Sequence, residues 1–232
     1  MRVVFISLVL ILPTLAISQT KELQEYNNLL LRTQESQSLK LEYTNIEGNP
    51  YSNEELIPGT IVFVSGNQMD NIPLRYNWYR KDMEFENEGK VLAMPEMKEI
   101  DHIIINGNKY VPFYYLKSIK GYLVELVKGE YSLFRAEDVR FINAKPPASG
   151  YDDYQPAKFD WYRTKYYVIS LKGNVIELAP SKKKLVQQFP GYEKQISNFI
   201  KENKLTVRKE EDLTAIIEML NSLQQESTSP EK

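Results

Sequence analysis

The sequence predicts an α+β protein: an antiparallel, curved β-meander or partly closed β-barrel region, then a β-hairpin and a small C-terminal helical region. Residues 47–143 contain many short segments with apolar side chains at every second position, which is typical of half-buried strands. Turn sequences such as Asn106-Gly107 separate these segments and favour hairpins. No crossover helices are predicted between the strands, and parallel pairing would need them, so we expect antiparallel pairing.

The clearest strands lie between residues 58 and 85. Ile72, Leu74, Tyr76 and Trp78 alternate with more polar residues and are expected to face the core. By the same alternation, Tyr79 faces the opposite side, together with the polar side chains of this strand and the glutamates of the next one. That opposite face is expected to be solvated.

Residues 1–18 have the pattern of a secretory signal peptide. Arg2 precedes an apolar run over residues 3–15, and Ala16-Ile17-Ser18 places small residues before a predicted cleavage at Gln19. The alternative is an uncleaved anchor, but the run is shorter than the roughly 20 residues of a spanning helix. We expect a periplasmic or extracellular protein with no transmembrane segment in its mature chain. Cysteine is absent, so disulfides cannot hold the fold.

Further segments follow from composition and spacing. Residues 19–46 are predicted to be helical or flexible, residues 144–157 form a proline-rich connector, and residues 224–232 form a disordered polar tail. Two separate strands are predicted at residues 131–134 and 139–142. Residues 158–223 combine a β-hairpin with C-terminal helices, the first of which has Ser181 as its N-cap.

Several kinds of chemistry lack their usual residues. The 29 basic and 31 acidic side chains give a net charge of −2, which does not support a nucleic-acid partner. The 10 glycines form no phosphate-binding loop, so we expect no cofactor. His102 is the only histidine, and Cys is absent, so neither a zinc site nor a catalytic residue is assigned.

Carboxylate chemistry would need two acids facing each other across a cleft. The candidate acids are Asp152 and Asp153 in the connector and Asp82, Glu84 and Glu86 in the meander. Neighbouring acids normally point apart, and alternate acids on a strand usually face solvent. A carboxylate-dependent hydrolase of envelope polymers is therefore the alternative hypothesis.

Aromatic residues give the leading hypothesis. The chain has 16 tyrosines and two tryptophans, most of which are expected to pack in the sheet. Tyr79, Tyr151 and Tyr154 are predicted to be the most exposed and are the candidate binding residues, since exposed aromatic rings bind proteins or sugars. We therefore expect an exported, non-catalytic binding or assembly component of the cell envelope, with envelope proteins or glycans as partners.

Several short motifs are spread along the chain: Gly48-Asn49-Pro50-Tyr51, residues 72–77, residues 82–85, Gly150-Tyr151, Phe189-Pro190, residues 199–201 and Asp212-Leu213. They resemble landmarks in a group of uncharacterised secreted or periplasmic proteins of Bacteroidetes. The resemblance covers nearly all of the mature chain, and none of its motifs is a catalytic signature. It implies export and a single fold, and it implies no activity and no site residue.

Overall fold

The computed structural model describes Asn27, Leu29 and residues 46–113, 121–147 and 153–228. In these residues an antiparallel sheet is followed by helices, which confirms the predicted α+β class. The strands are β1 Ile57–Phe63, β2 Gln68–Asn77, β3 Asp82–Asn87, β4 Lys90–Ala93, β5 Ile100–Ile105, β6 Asn108–Pro112, β7 Tyr122–Val127, β8 Tyr131–Ile142, β9 Lys158–Ser170 and β10 Val175–Glu177. The helices of residues 153–228 are α1 Lys182–Gln187, α2 Glu193–Glu202 and α3 Glu210–Thr228.

The ten strands form one curved sheet that does not close into a barrel. Their order is β10-β9-β8-β7-β6-β5-β1-β2-β3-β4, and every neighbouring pair is antiparallel. The first four strands form a meander, and β5 then returns to pair with the other edge of β1. From β5 onward each strand pairs with the next, so the sheet grows in one direction until it ends at β10.

The sheet curves until β2 meets β7 across its inner side. The Tyr122 amide donates a hydrogen bond to the Tyr76 hydroxyl over 2.9 Å, and the two rings meet edge to face with centroids 5.8 Å apart. Gly121 allows this approach, because a Cβ atom there would lie 2.5 Å from the Lys81 carbonyl oxygen. Trp78 and Tyr110 complete the aromatic cluster and are also buried.

The C-terminal helices cover the outer face of the sheet. On β8, Phe134 packs in the inner core, whereas its neighbour Leu133 packs against the helices in a second core. This alternation follows directly from the opposite directions of successive strand side chains. Ser181 caps α1 as predicted, with its side chain accepting a hydrogen bond from the Lys184 amide. No helix in the described part of the chain has the length and apolar character needed to cross a membrane.

Two sequence-based boundaries differ from the structure. The strands predicted at residues 131–134 and 139–142 form one continuous strand, because β8 pairs with β9 from Tyr131 to Ile142. Helix α3 extends to Thr228, into the segment that was predicted to be a disordered tail. The side chain of Asn221 anchors this helix to the sheet. Its Oδ1 atom accepts a hydrogen bond from the Tyr131 N–H at 2.9 Å, and its Nδ2 atom donates to the Tyr131 carbonyl oxygen at 3.0 Å.

The prediction of a solvated polar face on β2 and β3 is wrong at Asn77 and Glu84, which are both buried. The Glu84 carboxylate pairs with Arg75 at 2.8 Å. The Asn77 side-chain oxygen accepts hydrogen bonds from the Tyr79 and Arg80 amides. Local alternation could not show this burial, because the residues that cover the face, around Tyr51, are far away in the sequence.

We expect Trp78→Ala to lower the free energy of unfolding by about 3–5 kcal/mol, because it empties a buried aromatic site. Trp78 is 2% exposed, whereas Tyr79 is 42% exposed. Tyr79→Ala should cost about 1 kcal/mol, the range for losing an aromatic contact. Urea unfolding of both variants measures the difference, and equal losses would contradict this arrangement of the two rings.

Gly121→Ala should destabilise the protein more than Gly107→Ala. Both glycines have positive φ, +85° and +74°, so each alanine bears the left-handed penalty of about 1–2 kcal/mol. Only Gly121 also has a backbone oxygen where the new methyl group would lie, while the space beside Gly107 is open. Equal urea midpoints for the two variants would show that the contact between β2 and β7 is looser than described.

Candidate functional site

Strand β9 exposes four consecutive side chains, those of Trp161, Tyr162, Arg163 and Thr164. Few described residues pair with β9 on the side away from β8. There β10 pairs only with residues 167–169, and an isolated bridge to Glu47 lies at Lys158. Among the described residues, positions 160–165 therefore pair with β8 alone. They form an open stretch of sheet edge.

A β-bulge places Tyr162 at the centre of this stretch. Asp138 of β8 lies opposite Arg163 and the next residue, Val139, lies opposite Trp161, so Tyr162 is the extra residue. The Arg140 guanidinium lies 3.5 Å from the centroid of the Tyr162 ring, which is stacking distance. Bulges are frequent beside functional sites, where they redirect a side chain.

We call Arg140, Trp161, Tyr162 and Arg163 the aromatic–arginine surface. Trp161 and Tyr162 are 47% and 52% exposed, and the side chains of Arg140 and Arg163 are similarly accessible. The indole Nε1–H of Trp161 donates to the Asn49 carbonyl oxygen at 2.9 Å, which fixes the ring. These four residues thus present two accessible rings and two cations on two paired strands, Arg140 on β8 and the other three on β9.

A cleft of about 400 Å³ adjoins the open edge. One wall is formed by β9 and by the residues between β10 and α1. The opposite wall is formed by the loop before α3. Three of its four charged lining residues are basic, which favours an anionic ligand group. The lining consists of residues 163–166, Glu177, Leu178, Pro180, Val207, Arg208 and Leu213.

Asp138 balances part of the positive charge beside the cleft. Its carboxylate lies 3.2 Å from Lys165, 3.5 Å from Arg140 and 3.7 Å from Arg163. Partial burial acts to raise the pKa of Asp138, but Lys165 and Arg140 outweigh it, so the pKa lies below its usual value. Asp138 therefore stays ionised and orients the three cations around it.

The inner wall of the cleft is held by a network around Glu210 at the start of α3. Arg135 Nη1 donates to both carboxylate oxygens, at 3.0 and 3.1 Å, and the Tyr166 hydroxyl donates to one of them at 3.3 Å. Burial and the negative charge of Glu210 raise the pKa of Tyr166 to about 12. Tyr166 therefore remains a hydrogen-bond donor at neutral pH and helps to fix α3 against the sheet.

Tyr79 and Tyr154, two of the three predicted binding residues, do not line this cleft. Tyr79 packs its ring edge against Phe159, with centroids 5.4 Å apart, and is partly exposed. Tyr154 is 61% exposed and precedes Gln155, which bridges to Lys145. No ring contact joins these two tyrosines, and Tyr151 lies outside the described residues.

Sequence reasoning missed the open edge and the cleft. One signal was present: residues 160–165, Asp-Trp-Tyr-Arg-Thr-Lys, lack the polar and apolar alternation of the other strands. That signal does not reveal that β10 is too short to cover this part of β9. The basic cleft residues are also scattered in sequence, since Arg208 lies far from Arg163.

None of the described acids considered for catalysis lines the cleft. Asp82 pairs with Arg80 at 2.9 Å, and Glu84 is buried beside Arg75. Glu86 and Asp153 are exposed, and Asp152 lies outside the described residues. Glu177 is the single carboxylate among the residues that line the cleft.

His102 is paired locally and lies on β5. Its Nδ1 atom is 2.6 Å from the Asp101 carboxylate, and neither residue lines the cleft. Within the described ranges, no group of three or more His, Asp or Glu side chains is arranged to hold a metal ion.

Comparisons of the chain with protein-family models, with curated proteins and with solved structures find no match. The resemblance to secreted proteins of Bacteroidetes therefore stays a prediction.

Lys81 lies behind the site, in the turn between β2 and β3. Its ammonium group donates to the Glu137 carbonyl oxygen at 2.8 Å and lies 5.3 Å from the centroid of Trp78. Burial lowers the pKa of Lys81 to about 8, although Asp138 acts in the opposite direction. The charged form of this lysine therefore destabilises the fold at neutral pH.

This lowered pKa predicts an increase in stability with pH. Between pH 8 and the unfolded pKa of 10.5, the unfolded chain binds more protons at Lys81 than the folded chain does. The free energy of unfolding should therefore rise with pH in this window. Relative to Lys81→Met, the wild type should gain about 2 kcal/mol between pH 7.5 and 9.5.

Urea unfolding at several pH values tests this expectation. Lys172→Met, in the exposed turn between β9 and β10, is the matched control and should follow the wild type at every pH. If the curves of the wild type and Lys81→Met remain parallel from pH 7.5 to 9.5, the burial of the Lys81 ammonium group is refuted.

Proposed function

We propose that the protein is an exported, non-catalytic binding or assembly component of the cell envelope. In this proposal it binds protein or glycan partners through the aromatic–arginine surface. The observation that carries the proposal is the pair of accessible rings, Trp161 and Tyr162, on a strand that is already ordered by its pairing with β8. Rings held in place lose little entropy on binding, and Tyr, Trp and Arg are enriched in binding hot spots.

The arrangement of charge also supports binding without catalysis. Arg163 and Lys165 are engaged by Asp138, and Tyr166 is held protonated beside Glu210. These groups are stable donors and cations, which suits recognition of an anionic or polar partner. A hydrolase of the carboxylate type needs a second acid placed about 5–10 Å from the first. Glu177 has no second carboxylate with it among the residues that line the cleft.

Export supports an envelope partner and rests on the sequence alone. The signal-peptide pattern covers residues 1–18, which lie outside the described residues. An aromatic surface exposed to the periplasm or the cell exterior would meet glycans and other envelope proteins.

Removing both rings should abolish most of the binding. We expect Trp161→Ala with Tyr162→Ala to weaken binding to isolated peptidoglycan or to immobilised envelope proteins by at least about tenfold, since each anchor contributes about 1–2 kcal/mol. Val64→Ala with Val91→Ala removes two other exposed apolar side chains and should change the affinity less than about twofold. Circular dichroism checks that both proteins remain folded.

Two further variants separate the alternatives in the same assay. Tyr151→Ala with Tyr154→Ala tests the aromatic residues chosen from sequence, and a loss of binding confined to that pair would move the interface to the connector. Glu177→Gln tests the hydrolase. Turnover of a glycan or peptide by the wild type, and not by Glu177→Gln, would refute the non-catalytic function.

A further inference from the structure

We propose that the open edge of β9, residues 160–165, binds an extended acidic peptide as an additional β-strand, with a carboxylate of the peptide in the adjoining cleft. This inference rests on the proposed function and specifies the partner: a peptide segment rather than a glycan. Addition of a strand to a sheet edge derives affinity from backbone hydrogen bonds and selectivity from the side chains beside them.

The direction of the backbone groups on β9 supports strand addition. The Phe159 amide bonds the Glu47 carbonyl at 2.9 Å, and the Tyr166 carbonyl accepts from the Leu178 amide at 2.8 Å. Both contacts lie on the side of β9 away from β8. Backbone direction alternates along an antiparallel strand, and no bulge separates Thr164 from Tyr166 two residues later, so the N–H and C=O of Thr164 point to that side as well. No described backbone group pairs with Thr164 there.

The open stretch differs from the two ends of the sheet. The terminal strands β4 and β10 have only four and three residues, and short edge strands are a common protection against unwanted pairing. Residues 160–165 instead lie inside a 13-residue strand whose other side pairs with β8 along its length. A rigid template of this kind adds no ordering cost of its own to peptide binding.

The charges at one end of the edge select the partner. Arg163, Lys165 and Arg208 line the cleft, but Arg163 pairs with Asp138 and Glu177, and Lys165 pairs with Asp138. Arg208 is exposed and makes no ion pair with a described residue. A guanidinium binds a carboxylate through paired hydrogen bonds, so a peptide strand that runs along the edge can place an acidic group in the cleft. A second copy of the chain would bring the same cations together, which disfavours self-pairing.

Thr164 provides a matched pair of variants. Proline at this position removes the outward N–H and leaves the pairing with β8 in place, because proline is tolerated on an edge strand when its nitrogen faces outward. Thr164→Val keeps the N–H and removes the hydroxyl, whose partner is the Glu137 carboxylate at 2.9 Å. Both variants remove the hydroxyl, so a difference between them reports on the backbone at Thr164: the outward N–H and the φ angle that proline fixes.

The experiment begins with selection of a random ten-residue peptide library on the mature chain, and the best peptide is then synthesised. We expect acidic peptides to be enriched. Fluorescence anisotropy should show at least about a tenfold loss of affinity for Thr164→Pro and less than about twofold for Thr164→Val. Arg208→Gln should weaken binding about fivefold or more, while Lys201→Gln, a basic residue of α2 outside the cleft, should not.

Several outcomes would overturn the inference. The first is a library selection that enriches no peptide, and the second is equal affinities for the two Thr164 variants. The third is a dimer in sedimentation velocity that Thr164→Pro dissociates, because a second copy of the chain would then occupy the edge. A wild type that binds peptidoglycan through Trp161 and Tyr162 but enriches no peptide would refute strand addition and leave the proposed function intact. Turnover of the selected peptide would refute the non-catalytic function. The difference in affinity between Thr164→Pro and Thr164→Val would still test whether the peptide pairs with the edge of β9.

Discussion

The hydrogen bond between the Tyr122 amide and the Tyr76 hydroxyl is the contact on which the shape of the molecule depends. It joins β2 to β7, strands that are not neighbours in the sheet, and it lies in a cluster of four buried aromatic rings. An open sheet of ten strands would leave one apolar face in water. Bending the sheet until these rings meet buries that face against itself, at the cost of one special backbone position, Gly121.

This curvature determines what covers β8 and β9. Their inner side chains belong to the core formed by the bent sheet. On the outer face, the helices pack against these two strands around Leu133 and Val168. Because β10 has three residues, the middle of β9 has no strand beside it among the described residues. The exposed rings, the arginines and the cleft thus have one origin, which is the mismatch in length between β9 and its neighbour on that side.

The same region carries most of the unusual electrostatics. Asp138 is surrounded by cations, and Lys81 is buried behind it with a pKa lowered to about 8. Tyr166 stays protonated next to Glu210. Burying a lysine destabilises its charged form, so Lys81 lowers the stability of the fold at neutral pH. The groups that Asp138 and Glu210 hold in place beside the cleft suit recognition, since a partner does not have to order them.

The sequence alone determined the class of the fold and much of its local structure. Alternation identified Leu74, Tyr76 and Trp78 as core residues, and capping chemistry placed the start of α1 at Ser181, because these patterns depend on neighbouring residues only. Tertiary structure decided that Asn77 and Glu84 are buried, that β8 is one strand, and that Arg163 and Arg208 line the same cleft. Each of these features depends on contacts between distant segments, and periodicity carries no information about which segments meet.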